Sequence, residues 1–304
     1  MSGPEIRRHV PVLPSFLTYL TPASGETVLD ATIGLGGHAA ALLQATAPDG
    51  KLIGVDADEA HLALARENLK DFGDRVELHH ANFREIPAMT FAPVDILFAD
   101  LGLCSMHLDD TARGFSFASD APLDMRFDRS RGKTAADIVA DFSEEQLFHV
   151  FAEFGELPRS HALASRIVHV RKNLPMTHAS HLCDVAEEIY RWKAKAMLPQ
   201  IFQALRIVVN DEVGALDALL RAIPTLLRVG GRCGIMSYQS IDDRAVKRAF
   251  RALATSSKDT VTGAVRRESS FELVTKKAVR AGTEEVSRNP RARSVSFRVI
   301  RKHA

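Results

Sequence analysis

Over the first hundred residues, short apolar runs alternate with amphipathic stretches. Thr27–Thr32 (TVLDAT), Lys51–Asp56 (KLIGVD), Val76–Ala81 (VELHHA) and Asp95–Leu101 (DILFADL) have the length and apolar character of strands. Between them, a glycine-rich IGLGGH leads into an Ala/Leu-rich stretch, and Glu59–Leu69 has helical periodicity. Such alternation calls for a parallel sheet covered by helices on both faces, so the predicted fold is α/β, doubly wound and Rossmann-like. The rhythm then lapses, and the next strand, Arg232–Tyr238 (RCGIMSY), comes roughly 130 residues later. The gap opens with an irregular, turn-rich stretch from Asp109 to Lys133. It continues with helical segments near Glu144–Phe154, Ser160–Arg171, Ala179–Trp192 and Phe202–Leu227. This predicts a mainly helical insertion over 109–199, between core segments 1–108 and 200–304. The core resumes with the helix at Phe202, the strand at Arg232 and a helix over Asp242–Leu253. Phe271–Lys276 and Ser294–Ile300 predict a closing antiparallel pair around a basic loop, and Thr255–Glu268 reads as a mobile loop.

Composition narrows the class. A 304-residue chain with 46% hydrophobic and 25% charged residues is ordinary for a soluble globular protein. No uncharged apolar run reaches the roughly 18 residues that a membrane helix needs. The start, MSGPEIRRHVPVL, lacks the apolar core of a secretory signal. Cys104, Cys183 and Cys233 lie far apart and make neither a disulfide framework nor a CxxC pattern, which suits thiols in a reducing cytoplasm. His178 and His181 lack Cys or carboxylate partners at ligand spacing, so no metal site is expected. The net charge of +1 is unevenly spread. From Ala245 onward there are fifteen Lys/Arg against five Asp/Glu, a local +10 that leaves −9 on the first 244 residues. A basic terminal region on an acidic protein points to a polyanionic partner, although acidic neighbours in space would also account for it.

The candidate chemistry lies at the strand ends. Asp30-Ala-Thr-Ile-Gly34-Leu-Gly36-Gly37-His38 follows the first strand, where glycines permit a tight turn and close approach of a ligand to main-chain N–H groups. Gly34-x-Gly36-x-x-Ala39 also fits the dinucleotide fingerprint GxGxxA, so the glycines alone leave a nicotinamide cofactor open. Asp56 closes the second strand, where a carboxylate accepts ribose hydroxyls with either cofactor. Asp30 separates the two: a carboxylate there repels pyrophosphate and attracts the sulfonium and ammonium of S-adenosylmethionine. Phe83, after the third strand, offers a ring where adenine should lie, and Asp100 closes the fourth strand across the crevice from the glycine loop.

Specific motifs run along nearly the whole chain: His9-Val-Pro-Val12, DATIGLGGH, Asp100-Leu-Gly102, Arg113-Gly-Phe-Ser-Phe117 and Pro122-Leu-Asp-Met-Arg126. They continue with Phe202-Gln-Ala-Leu-Arg206, Val209-Asn-Asp-Glu212, Ser237-Tyr-Gln-Ser240, Val274-Thr-Lys-Lys277 and Asn289-Pro-Arg-Ala-Arg-Ser294. The set resembles the bacterial family of the MraW or RsmH type, which methylates N4 of a cytidine in the decoding region of 16S ribosomal RNA. The resemblance implies S-adenosylmethionine as cofactor, contacted by Gly36, Gly37, His38, Asp56, Phe83 and Asp100, and by His107 where the family usually has Gln. Cys104 stands where Ser is common, and Gln239 stands where the family has His. A Gln can orient a base but cannot take up a proton.

Cytosine's amine is a poor nucleophile, because its lone pair is delocalised into the ring. An acceptor holding its N–H bonds aims that lone pair, so the reaction needs placement more than a strong base. Asp100 is the expected acceptor, with Asn210, in a polar break of an apolar helix, as a second catalytic candidate. Arg113 and Arg126 are candidates for holding phosphate and Phe115 for stacking on a splayed base, with burial in the insertion's own core as the plain alternative for the phenylalanines. Arg291 and Arg293 are further RNA-binding candidates. The implied partner is 16S rRNA or an assembling small subunit. No membrane is implied, and a homodimer is compatible. Three rivals remain at this stage: a small-molecule or protein N-methyltransferase, an NAD(P)-binding oxidoreductase, and a cofactor-binding assembly factor with little activity.

Overall fold

The computed structural model describes residues 14–258 and 265–304, with the side chains of Ser105, Arg291, 257–258 and 265–267 outside that description. The His9–Val12 motif, residues 259–264 of the expected mobile loop and the Arg291 side chain therefore lie outside the described residues. The chain forms two compact units: Met1–Gly102 with Gly214–Ala304, and Leu103–Val213.

In the first unit the strands are β1 (Thr27–Asp30), β2 (Lys51–Asp56), β3 (Val76–His80), β4 (Val94–Asp100), β5 (Leu227–Ser237), β8 (Phe271–Leu273) and β9 (Ser296–Lys302). They form one sheet in the order β3-β2-β1-β4-β5-β9-β8. The first five are parallel; β9 runs antiparallel to both β5 and β8. A separate short ribbon pairs β6 (Ser257–Lys258) with β7 (Val265–Arg267). Alternation along the central strands feeds two cores. Val28, Ile96 and Phe98 face α1 (Phe16–Leu20), α2 (Gly37–Ala45) and α3 (Glu59–Asn68), whereas Leu29, Leu97 and Ala99 face α10 (Glu212–Leu226) and α11 (Ser240–Leu253). β4 is buried on both faces up to Asp100, which explains its unbroken apolar run. The regular β4–β5 ladder starts at Ile96↔Arg232, as the sequence suggests. An earlier pair, Val94↔Leu227, lies beyond a register shift in which Gly230 takes φ 85°. Arg232 fastens β5 to the end of α1, donating to both oxygens of Glu26 at 2.7 Å and to the Leu20 and Thr21 carbonyls.

The second unit holds α4 (Ser105–Asp109), α5 (Ala135–Asp141), α6 (Glu144–His149), α7 (Ser160–Val170), α8 (Ala179–Tyr190) and α9 (Ala194–Val209). Its core is built on Phe151, Leu163, Ile167, Leu182, Ile201 and Leu205. Thr134 with Asp137 and Ser143 with Gln146 form capping boxes that start α5 and α6. The insertion is thus wider than the predicted 109–199. α9 buries Ile201, Phe202 and Leu205 in this core, so it belongs to the insertion and not to the returning core. The single helix expected over Phe202–Leu227 is two helices. Asn210 caps the first, and Asp211 turns left-handed at φ 44° before α10 begins.

Candidate functional site

Parallel order places the carboxyl ends of β2, β1 and β4 side by side, so Asp56, Asp30 and Asp100 share one edge of the sheet. β1 has β2 on one side and β4 on the other, which makes this edge the topological switch point where open α/β sheets bind ligands. Local chemistry shapes the loop above it. Gly36, at φ 84°, caps α2, a conformation that favours glycine, and a Cβ there would press on Leu69 Cγ at 3.0 Å. The Gly34 N–H donates to Asp56 Oδ2 at 2.8 Å, and the Asp58 N–H to Asp56 Oδ1 at 2.8 Å. Asp56 thereby ties the glycine loop to β2, and each of its oxygens keeps a lone pair for another donor.

Asp30 is 1% exposed. Its Oδ1 accepts the Thr32 N–H at 3.1 Å, and its buried Oδ2 has no hydrogen-bond partner among the described residues. Burial, then the charges of Asp100 and Asp56, push its pKa up to about 8 against the opposing Thr32 N–H. An orphaned buried carboxylate oxygen among three acids suits a cationic ligand and disfavours a pyrophosphate. The residues therefore fit S-adenosylmethionine better than a dinucleotide. Asn82 caps the 3₁₀ turn that carries Phe83, whose half-buried ring packs against the α10–α11 core.

Asp100 is held on several sides. Its N–H donates to Thr32 Oγ1 at 2.6 Å, its Oδ1 accepts the Tyr238 hydroxyl at 2.8 Å, and its Oδ2 lies 3.6 Å from His38 Nδ1. His38 is buried between Phe16 and Phe98, with ring centroids 5.1 and 5.0 Å away, and so stands behind Asp100. Burial and the adjacent Asp100 charge drive the Tyr238 phenol far above its ordinary range, so it stays protonated and donates. Sequence reasoning missed Tyr238. The signal available was a hydroxyl-bearing aromatic just past the end of β5, the strand next to the one that ends in Asp100. The side-chain carbonyl of neighbouring Gln239 is buried without a partner among the described residues.

Several expected RNA contacts have structural roles inside the second unit. Phe115, 5% exposed, stacks on Phe127 with centroids 5.6 Å apart and is a core residue, not a free platform for a base. Arg113, 6% exposed, donates to the Arg126 and Phe127 carbonyls, so its guanidinium is directed at the backbone and not at a phosphate. Arg126 is bound by both oxygens of Asp124, at 2.8 and 3.0 Å. Asn210 is also reassigned. Its Oδ1 accepts the Phe127 N–H at 2.8 Å, and its Nδ2 donates to the Met125 and Arg206 carbonyls at 2.8 and 2.9 Å. With its amide committed to the backbone, it holds Met125 at φ 61° and is not a free catalytic group. Gly114 completes this knot: a Cβ there would meet the Pro122 carbonyl at 2.2 Å. The RGFSF, PLDMR and VNDE motifs are thus one hydrogen-bonded assembly. Arg206 of FQALR joins it through two bonds to Glu212, at 2.6 and 2.9 Å. His107 also belongs to this unit, packed between Phe115 and Phe127. Arg293 is exposed.

The profile of the MraW methylase family matches residues 6–303. The ribosomal RNA small subunit methyltransferase H of Citrifermentans bemidjiense is 42% identical over 307 residues, covering 97% of this chain and 98% of its own length. The protein of the same name from Syntrophotalea carbinolica is 40% identical, covering 98% of this chain and 99% of its own. That from Thermomicrobium roseum is 39% identical, covering 100% and 96%. A profile match over almost the whole length and relatives alike from end to end leave one conclusion: the chain belongs to the MraW methylase family.

Proposed function

We infer that the protein is an S-adenosylmethionine-dependent methyltransferase that acts on N4 of a cytidine in the decoding region of small-subunit ribosomal RNA. The observation that carries this reading is the row of carboxylates at adjoining strand ends, with one oxygen of Asp30 buried and unanswered, in a chain whose full-length relatives are named as rRNA small subunit methyltransferases. When bound, S-adenosylmethionine supplies a methyl group on a cationic sulfur. Asp30 balances the cofactor's positive charge, and Asp56 accepts the ribose hydroxyls with the lone pairs left over from Gly34 and Asp58. Asp100 accepts an N–H of the cytosine amine, which turns the nitrogen lone pair out of the ring plane and toward the crevice. Tyr238 fixes the Asp100 carboxylate so that this acceptor is preorganised. The proton lost from nitrogen passes to Asp100 or to water. No helix among the described residues is long and apolar enough to cross a membrane, consistent with a cytoplasmic enzyme whose partner is 16S rRNA or the assembling subunit.

Mass-spectrometric mapping of small-subunit rRNA from a strain lacking the protein tests the reading. One decoding-region cytidine should lose its N4-methyl group and regain it on complementation. Asp100→Asn keeps the shape but removes the charge, and should slow single-turnover methyl transfer about 10²-fold while changing cofactor affinity much less. Identical methylation maps with and without the protein would reject the function. Full activity in Asp100→Asn would remove Asp100 from it.

A further inference from the structure

We propose that a groove between α11 and the β8–β9 edge of the first unit docks a backbone phosphate of the RNA strand. The groove is shallow and open to solvent, and Phe250 and Leu273 are among its lining residues. Lys247 and Arg251, one turn apart on α11, line one wall, and Lys276, after β8, lines the other together with Arg298. Among the described residues none of Lys247, Arg251 and Lys276 has a carboxylate within ion-pair distance. Two flanking acids have other partners. Asp243 is bound by Arg298 through two hydrogen bonds of 2.8 and 3.0 Å. Glu272 alternates with Leu273 on β8, so it points to the opposite face and meets Arg301 at 4.0 Å. Thr275, also in the lining, accepts the Val299 N–H at 2.9 Å on its hydroxyl oxygen, leaving its hydroxyl hydrogen to donate.

Among the described residues, three cations without an ion-pair partner, a buried hydroxyl donor and no carboxylate in the lining make an anion site. Two of these cations, Lys247 and Arg251, are on a helix that begins at the functional edge. α11 starts at Ser240, directly after Tyr238 and Gln239, and Lys247 and Arg251 follow about 10 and 16 Å along its axis. At a rise of about 3.4 Å per nucleotide, a strand leaving the target cytidine along α11 reaches the groove after about three to five nucleotides. Arg113 and Arg126, the phosphate contacts expected from the sequence, donate instead to the backbone and to Asp124. The groove's cations have no such commitment.

This inference rests on the RNA-methylating reading above, and the test separates the two. The triple variant Lys247→Gln, Arg251→Gln, Lys276→Gln spares Arg298, which anchors Asp243. Binding of a single-stranded RNA oligonucleotide carrying the target region is measured against salt for both proteins. Loss of the contact to this phosphate should flatten the slope of log affinity against log salt by about 0.7, while calorimetric affinity for S-adenosylmethionine and the melting temperature hold. Inorganic phosphate, at ionic strength matched with chloride, should weaken RNA binding by the wild type and leave the variant unaffected. An unchanged salt slope, or equal weakening of both proteins by phosphate, overturns the groove. Wild-type protein that transfers no methyl group to small-subunit RNA overturns the function instead, and leaves the slope comparison to decide the groove alone.

Discussion

If Asp30 is the counter-charge for a cationic cofactor, binding must drive a proton off it. Without bound cofactor its pKa is about 8, set by burial and by the facing Asp100 and Asp56 carboxylates, with the Thr32 N–H in opposition and His38 beyond Asp100. Below that pH the carboxyl is mostly neutral, and a bound sulfonium favours the ionised form. Affinity for S-adenosylmethionine should therefore rise with pH and level off near pH 8. With a pKa of about 8, the ionised fraction rises about 50-fold between pH 6 and 8, a fall in Kd of about 50-fold or about 2.3 kcal/mol at about 1.36 kcal/mol per tenfold. The demethylated product, with a neutral sulfur, should show a much shallower dependence. Stability of the empty protein has the opposite sign. The folded pKa is raised above the unfolded value near 3.8, so Asp30's contribution is complete below about pH 4 and is lost as pH rises through about 8. Calorimetric titrations at pH 6, 7, 8 and 9, in buffers of different ionisation enthalpy, would read both the affinity and the protons released. Close to one proton should leave per cofactor at pH 6–7 and almost none at pH 9. Asp30→Asn should bind weakly and without pH dependence over this range. A flat affinity profile in the wild type, or an unchanged slope in Asp30→Asn, would refute the reasoning.

Two further substitutions probe the groups that hold the site and the insertion. Tyr238→Phe removes only the hydroxyl that fixes Asp100, so single-turnover methyl transfer should drop about tenfold, the loss of about 1–1.5 kcal/mol of one hydrogen bond, with cofactor Kd within twofold of wild type. A proportionate loss of cofactor affinity would show that the phenol serves binding instead. Asn210→Ala strips three hydrogen bonds from the Met125–Phe127 turn and should destabilise the protein by about 2–4 kcal/mol in chemical denaturation. A stable but inactive variant would return Asn210 to the catalytic group.

The sheet core was legible because period and position are local properties. The near-continuous apolar runs ending in Asp30, Asp56 and Asp100 fix both the parallel sheet and the edge at which the acids meet, since parallel strands bring like ends together. The family motifs were equally plain as letters, but their work was not. Arg113 and Asn210 look like ligands in a list of polar residues. Only the fold shows that they close bonds to the backbone of Met125, Arg126 and Phe127, because hydrogen-bond partners are set by contacts between distant segments. The end of the insertion was misplaced for the same kind of reason: an amphipathic helix such as α9 shows that it has an apolar face, not which core that face enters. Tyr238 and the groove cations were hidden because their meaning depends on what stands opposite. A tyrosine becomes a donor to Asp100 through the pairing of β4 with β5, and Lys247, Arg251 and Lys276 become a site only when α11 lies against the β8–β9 edge and Asp243 is engaged by Arg298. Sequence by itself determined the strands, the acids at their ends and the family; the tertiary structure decided which polar groups hold the fold and which are left to bind.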